Sequence, residues 1–315
     1  MIKKKVVIVG MGYVGSAMTN LLKNHFEIYC YDPAYHPGIK YSDYADVIFL
    51  NNIQDHPNDA ILGVVCTPTP SNEDGSCDIS RVEESIQKLK TPLILLKSTV
   101  EVETTDRLRL LYKKRIVFSP EFVGESKYYN PYFNDNMLET PWVVLGGAPE
   151  DTKEALEILI KVLGPTKKYY QCSTKEAEMI KYVENVFFAT KITFCNEIYN
   201  LCEKAGIDYW KVREGWLLDP RVGGDGMHTA VFKEERGFGG KCFPKDTKAL
   251  IKYAERKGYD ANLIKEVIKS NEQFRNPPKE KEKCGYDKYL EEKKKLIGIE
   301  NESQNQTNRT IEKKM

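Results

Sequence analysis

The segment Gly237-Phe238-Gly239-Gly240-Lys241-Cys242-Phe243-Pro244-Lys245-Asp246 sets a cysteine in a glycine-rich turn, with a lysine and an aspartate just beyond it. Nearby positive charge favours the thiolate, and the thiolate is the species that attacks, so this setting suits a nucleophile. A cysteine taken alone more often serves as a small buried hydrophobe. The turn therefore needs support from elsewhere in the chain.

That support begins at the N-terminus. The apolar run Val6-Val7-Ile8-Val9 enters a Gly-x-Gly-x-x-Gly turn, Gly10 to Gly15, and a helix is expected over Ser16 to Asn24. Gly10 permits the tight turn, Gly12 lets a pyrophosphate approach the backbone, and Gly15 allows the helix to pack on the strand. The helix start offers free N–H groups and partial positive charge to phosphates. A second strand, Phe26 to Tyr31, ends in Asp32, placed for a ribose 2′-OH. Its charge repels a 2′-phosphate, which selects NAD over NADP. A dinucleotide fold together with a nucleophilic cysteine suggests an oxidation that passes through a covalent thiol adduct.

Composition narrows the alternatives. At 315 residues the chain has room for two domains with their own cores. A formal net charge of +1 gives no support for nucleic acid or a membrane surface as partner. No apolar run is long enough to span a bilayer. The basic start Lys3-Lys4-Lys5 leads into a short, glycine-broken stretch that reads as a strand and not as a signal peptide. Eight cysteines without paired spacing fit reduced thiols in the cytoplasm. His25, His36, His56 and His228 make no ligand pattern with them, so no metal site is expected.

Strand and helix patterns alternate through the first half. Further strands are expected at Val47 to Leu50, Ile61 to Cys66, Leu93 to Lys97, Ile116 to Phe118, Trp142 to Leu145 and Lys167 to Gln171. Helices are expected at Ser80 to Leu89 and Asp151 to Leu163. The alternation argues for an α/β fold, a Rossmann-like, doubly wound and mainly parallel sheet over residues 1–172. Ser173-Thr174-Lys175-Glu176 is a capping-box signature opening a long central helix over 173–206. Its apolar residues cover more than one face, which points to burial on several sides, in part by a second subunit. A small all-helical domain over 207–276 carries the Cys242 loop, and the charged tail 277–315 is expected to be disordered.

With these pieces in place, the chain resembles the UDP-glucose/GDP-mannose dehydrogenase family from Lys5 to about Asn276. The motifs that carry the resemblance occur in order: GMGYVG, CTPTP with EDGSCD, KSTV, SPEFVGES, KYVENVFFATKITFCNEI and GFGGKCFPKDT. The resemblance implies NAD-dependent oxidation of the C6 alcohol of a nucleotide sugar to a carboxylate, by two hydride transfers with a cysteine adduct between them. It implies Cys242 as nucleophile and Asp246 as the group that orients or activates water. Lys181 and Asn185, four apart on one helix face, would hold the developing oxyanion. Glu121 would serve thioester hydrolysis as a base, and Glu125 would lie against the nicotinamide and a bound water. Thr99 would belong to the water and cofactor network. Gly10, Gly12, Tyr13, Val14, Gly15, Asp32, Thr67, Pro68 and Thr69 would bind the cofactor, and Lys245 would contact substrate or cofactor phosphates. Arg221 would reach across a homodimer, packed through the central helix, to the partner's active site.

The sequence departs from that pattern in three places. Pro33 to Asp46 leaves little room for a helical excursion after Asp32. The loop Gly224 to Gly237, with His228, Phe232, Lys233 and Arg236, lacks an Asn- and aromatic-rich signature, which puts the base and sugar in doubt. Family members carry a further nucleotide-binding domain, for which the residues after Asn276 leave no room, so a separate chain or a smaller substrate is expected to compensate. UDP-glucose is the favoured substrate. The competing expectations are an NAD-binding protein that turns over no sugar, and a hydroxyacid-type dehydrogenase that oxidises once without a thiol.

Overall fold

The computed structural model describes residues 3–33, 41–122, 137–223, 228–232 and 235–275. Glu125, Lys233 and the charged tail lie outside them. The described residues divide into two compact units: those up to Val186 together with Pro244–Ala261, and those of Phe187–Phe243 together with Asn262 to Arg275.

The first unit is built on one sheet. Its elements run β1 (Lys5–Val9), α1 (Tyr13–Leu22), β2 (Glu27–Tyr31), β3 (Ile48–Phe49), β4 (Ala60–Val65), α2 (Ser80–Lys88), β5 (Ile94–Leu96), α3 (Thr104–Tyr112), β6 (Ile116–Phe118), β7 (Trp142–Gly146), α4 (Pro149–Leu163) and β8 (Lys168–Cys172). The strand order is β3-β2-β1-β4-β5-β6-β7-β8, parallel throughout except where β6 meets β7. The order reverses between β1 and β4, and the crevice beyond the carboxyl ends of such strands is where open α/β sheets take their ligands. Alternation along β1 explains the two layers. Val6 and Ile8 join α1 and α4 on one face, with Met18, Leu22, Ala155 and Leu159. Val7 and Val9 join α2 and α3 on the other, with Val82, Ile86 and Leu108.

Two sequence expectations shift. Helix α1 starts at Tyr13, not Ser16, because the chain turns into it directly from Gly12 without a side-chain cap. β3 shrinks to two residues, both more than two-fifths exposed at the sheet edge.

The long helix is present as α5, Thr174–Ala205, and it runs through the division between the units. Its capping box is formed: the Ser173 N–H donates to Glu176 Oε2 at 2.8 Å, and the Glu176 N–H donates to Ser173 Oγ at 3.3 Å. In the second unit the regular elements among the described residues are helical. They are the distal part of α5, α6 (Tyr209–Trp216), and α8 (Asn262–Phe274), while α7 (Phe243–Arg256) crosses back to the first unit after its first residue. Cys195, Tyr199 and Cys202 of α5 pack with Tyr209 and Val231. Among the described residues no helix is long and apolar enough to cross a membrane.

Candidate active site

The glycine loop sits at the switch between β1 and β4. Gly10 adopts φ +93°, and a Cβ at Gly15 would lie 1.8 Å from the Gly10 carbonyl oxygen, so only glycine fits there. In front of Gly12 the space is open. No acidic residue stands in the first turn of α1. Thr67 Oγ1, on the neighbouring loop after β4, is buried and makes no hydrogen bond among the described residues. An open helix N-terminus beside an unsatisfied hydroxyl is a good fit for a dinucleotide pyrophosphate. The Asp32 carboxylate accepts the Met11 N–H at 2.5 Å, which ties the end of β2 to this loop. Tyr13 and Val14 form the first turn of α1, half-buried.

Loops from adjacent strands are tied together on the same edge of the sheet. The Thr69 hydroxyl donates to the Thr99 carbonyl at 2.6 Å, and the Ser98 hydroxyl donates to the Thr67 carbonyl at 2.7 Å. Pro68 between them is exposed. After β6, Glu121 forms an ion pair with Lys97 at 3.0 Å, with both side chains nearly buried. Lys97 was given no role from sequence. Its place in KSTV, at the end of β5, was the available signal.

A largely buried polar array in the first unit joins α5 and α7. Lys181 Nζ donates to Asn185 Oδ1 at 3.3 Å and sits 5.0 Å over the Phe122 ring. Asn185 Nδ2 donates to Asp246 Oδ2 at 2.5 Å, and Lys245 Nζ donates to Asp246 Oδ1 at 2.6 Å. Asp246 is 1% exposed and Asn185 5%, so the helix-interior asparagine is held by a buried carboxylate and not by water. Lys181 Nζ also pairs with Glu184 Oε2 at 3.4 Å, so two ammonium groups meet two carboxylates, and fixed N–H donors in a water-poor place are a setting that stabilises an oxyanion.

Sequence reasoning missed three groups behind this array. Cys77 Sγ lies 3.8 Å from Lys245 Nζ and 3.3 Å from the Tyr182 hydroxyl. Burial, the largest influence, pushes the Cys77 thiol up, so the sulfur faces Lys245 as a neutral neighbour. Glu178, one turn before Lys181, is fully buried and accepts the N–H groups of Glu103 and Thr105, each at 2.7 Å. It thereby caps α3, whose own N-cap, Glu103, has φ +81° and no side-chain cap. Burial raises its carboxyl to about 7, against the lowering effect of those hydrogen bonds.

In the second unit Cys242 is exposed and immediately precedes α7. The partial positive charge of a helix start favours a thiolate there. Arg221 lies on a single 3-10 turn, 88% exposed, with its guanidinium on Asp219 at 2.6–3.0 Å. His228 is buried and stacks on Phe188 with ring centroids 4.0 Å apart, so its ring is used in packing.

Residues 28–164 match the UDP-glucose/GDP-mannose dehydrogenase family, NAD binding domain, and residues 175–273 match the central domain of that family. UDP-glucose 6-dehydrogenase YwqF of Bacillus subtilis is 30% identical over 300 residues, covering 84% of this chain and 65% of the relative. UDP-glucose 6-dehydrogenase of Pseudomonas aeruginosa is 31% identical over 261 residues, covering 76% of this chain and 55% of the relative. The chain thus spans less than two thirds of the length of either. Among solved structures, a UDP-glucose dehydrogenase from the hyperthermophilic archaeon Pyrobaculum islandicum superposes with a TM-score of 0.73 at 25% identity, over 87% of this chain and 68% of that one.

Proposed function

The chain belongs to the UDP-glucose/GDP-mannose dehydrogenase family, and from that premise we propose that it oxidises the C6 alcohol of a nucleotide sugar to a carboxylate, with UDP-glucose, giving UDP-glucuronate, as the first candidate. The observation that carries the reading is the buried Lys181–Asn185–Asp246–Lys245 array, set on the helix that follows Cys242 and on the helix facing it within the first unit. A water-poor cluster of fixed hydrogen-bond donors next in sequence to an exposed thiol suits acyl chemistry on a carbonyl.

NAD fits the residues present. Gly10, Gly12, Tyr13, Val14, Gly15, Asp32, Thr67, Pro68, Thr69 and Thr99 would hold it, with Glu125 and Lys245 added by resemblance. Bound there, NAD accepts one hydride in each of two oxidations. Cys242 adds as the thiolate to the carbon of the first-formed aldehyde, making a C–S bond while the carbonyl becomes an oxyanion. Lys181 and Asn185 bind that oxyanion. After the second oxidation the adduct is a thioester. Asp246 orients the water that cleaves it, Glu121, oriented by Lys97, takes the water's proton, and the thiolate of Cys242 leaves. Thr99 belongs to the same network of water and cofactor.

A homodimer is part of this reading. Val183, Phe187, Phe194 and Leu201 are each more than half exposed. At about 100° per residue they fall within about 40° of one another around α5. Such a stripe along one helix suits a second copy of the chain. Arg221, exposed on its short turn, would then reach the partner's site.

The reading is tested by supplying NAD with UDP-glucose or GDP-mannose and following NADH and the acidic sugar product. NADH with a uronate product from one of them is the expected result. Demonstrated NAD binding with no NADH from any nucleotide sugar would instead favour a binding role without turnover.

A further inference from the structure

The Cys242 turn is fixed at both ends by groups that no step above uses. On the N-terminal side, Asn271 of α8 reads both backbone groups of Phe238: its Oδ1 accepts the Phe238 N–H at 2.7 Å and its Nδ2 donates to the Phe238 carbonyl at 3.0 Å. Arg275, one turn on, donates to the same carbonyl at 3.1 Å. Asn196 of α5 accepts the Gly237 N–H at 3.1 Å and Arg236 Nε at 2.7 Å through one oxygen. Both asparagines are at least 95% buried. The glycines follow from this packing. A Cβ on Gly237 would stand 2.2 Å from Asn271 Oδ1, and one on Gly239 would stand 2.1 Å from Arg275 Nη1. On the C-terminal side, Phe243 packs into the same cluster as Phe238, with Ala189, Ile192 and Val267. Between the two anchored phenylalanines only Gly239 to Cys242 stand outward, and Gly240 to Cys242 are exposed.

We propose that Asn271 and Asn196 are positioning residues for Cys242, holding Gly237–Phe238 so that the thiol is presented at the start of α7 in one fixed arrangement. Buried asparagines on a backbone are expensive to remove, because the N–H and C=O they serve are left unpaired. Here the two backbone sites so protected lie four and five residues before the thiol. A thiol owes part of its reactivity to its place at a helix start, and a loosened turn loses that place. The inference rests on the reading of Cys242 as a nucleophile.

The test is the rate at which iodoacetamide alkylates Cys242 in the full chain, followed on the Cys242 peptide by mass spectrometry across a pH series. Asn271→Ala and Asn196→Ala change no charge, so the charges of Arg236, Lys241, Lys245, Asp246 and Arg275 are all kept, although Asn196→Ala removes one hydrogen-bond acceptor of Arg236. The midpoint of the alkylation curve is expected to rise by about one pH unit toward the ordinary thiol, slowing alkylation about tenfold at neutral pH. NAD binding and a cooperative melt report that the variant is folded, and the two variants guard against one of them failing to fold. A folded variant with wild-type rate and midpoint overturns the inference. A wild-type midpoint already at the ordinary thiol value overturns it too, since no preset state then exists to lose. No nucleotide sugar enters this measurement. Failure to produce NADH alongside the expected shift would therefore sink the proposed reaction and leave the inference standing.

Discussion

Asp246 is 1% exposed and bonded on both oxygens, whereas Cys242, four residues earlier, is exposed on a glycine turn. The first belongs to an array inside one unit, the second to a loop of the other. The contrast follows from what each group would do in the proposed reaction. Groups that stabilise charge gain from burial, because a low local dielectric strengthens them and fixed partners spare reorganisation. A nucleophile must be approached by a carbon atom and so cannot be buried. It gains order only through its flanks, which is where the buried asparagines and phenylalanines act.

Substitutions can break this contrast. The largest effect is expected on stability. Lys97→Met removes the ammonium that pairs with Glu121 in a site where both side chains are at least 90% buried, at a cost of about 3–5 kcal/mol. The double variant with Glu121→Gln should recover much of it, and urea melts of both read the difference. Asp246→Asn keeps the shape of the array but removes the charge that holds Lys245. The proposed chemistry then predicts a loss of about 10²–10³ in kcat, measured by steady-state kinetics.

Glu178→Gln tests the capping carboxyl through pH. Its folded value of about 7 lies above the ordinary 4.5, so between those values the folded chain keeps a proton that the unfolded chain releases. This group's contribution is fully present below about pH 4.5 and is lost as pH rises through about 7, by up to about 3 kcal/mol. Melting temperatures of the Gln variant should lack that component of the fall. A variant with the wild-type pH profile would remove Glu178 from the account. The smallest effect is expected at Cys77. Cys77→Ser can still meet Lys245 and the Tyr182 hydroxyl, while Cys77→Ala cannot. Kinetics should show the serine near wild type and the alanine reduced about threefold or more in kcat, of the order of one neutral hydrogen bond. Equal behaviour of the two would make Cys77 mere filling.

The sheet was legible in the sequence because its signals are local. Apolar runs of strand length, separated by helical patterns, report a parallel sheet, and Gly10, Gly12 and Gly15 announce their own turn. The capping box at Ser173 is likewise a four-residue signal. Helix α3 went unseen because its N-terminus is capped by Glu178, far along the chain, and two of its leucines, Leu110 and Leu111, face outward. Lys97, Cys77, Tyr182, Asn196 and Asn271 could not be read as partners, since their roles depend on residues dozens of positions away. In the array, Lys181, Asn185 and Asp246 were all named through the family resemblance, with helix spacing placing the first two on one face, but the hydrogen bonds by which Asp246 joins Asn185 to Lys245 appear only when α7 is laid against α5.

The central claim is a double oxidation that depends on one thiol. It is tested most directly by counting NADH formed per nucleotide sugar consumed, wild type beside Cys242→Ala, with UDP-glucose and GDP-mannose. The account predicts about two NADH per sugar in the wild type and loss of that stoichiometry in the variant. One NADH per substrate, unaffected by Cys242→Ala, would contradict it and point to a single, thiol-independent oxidation.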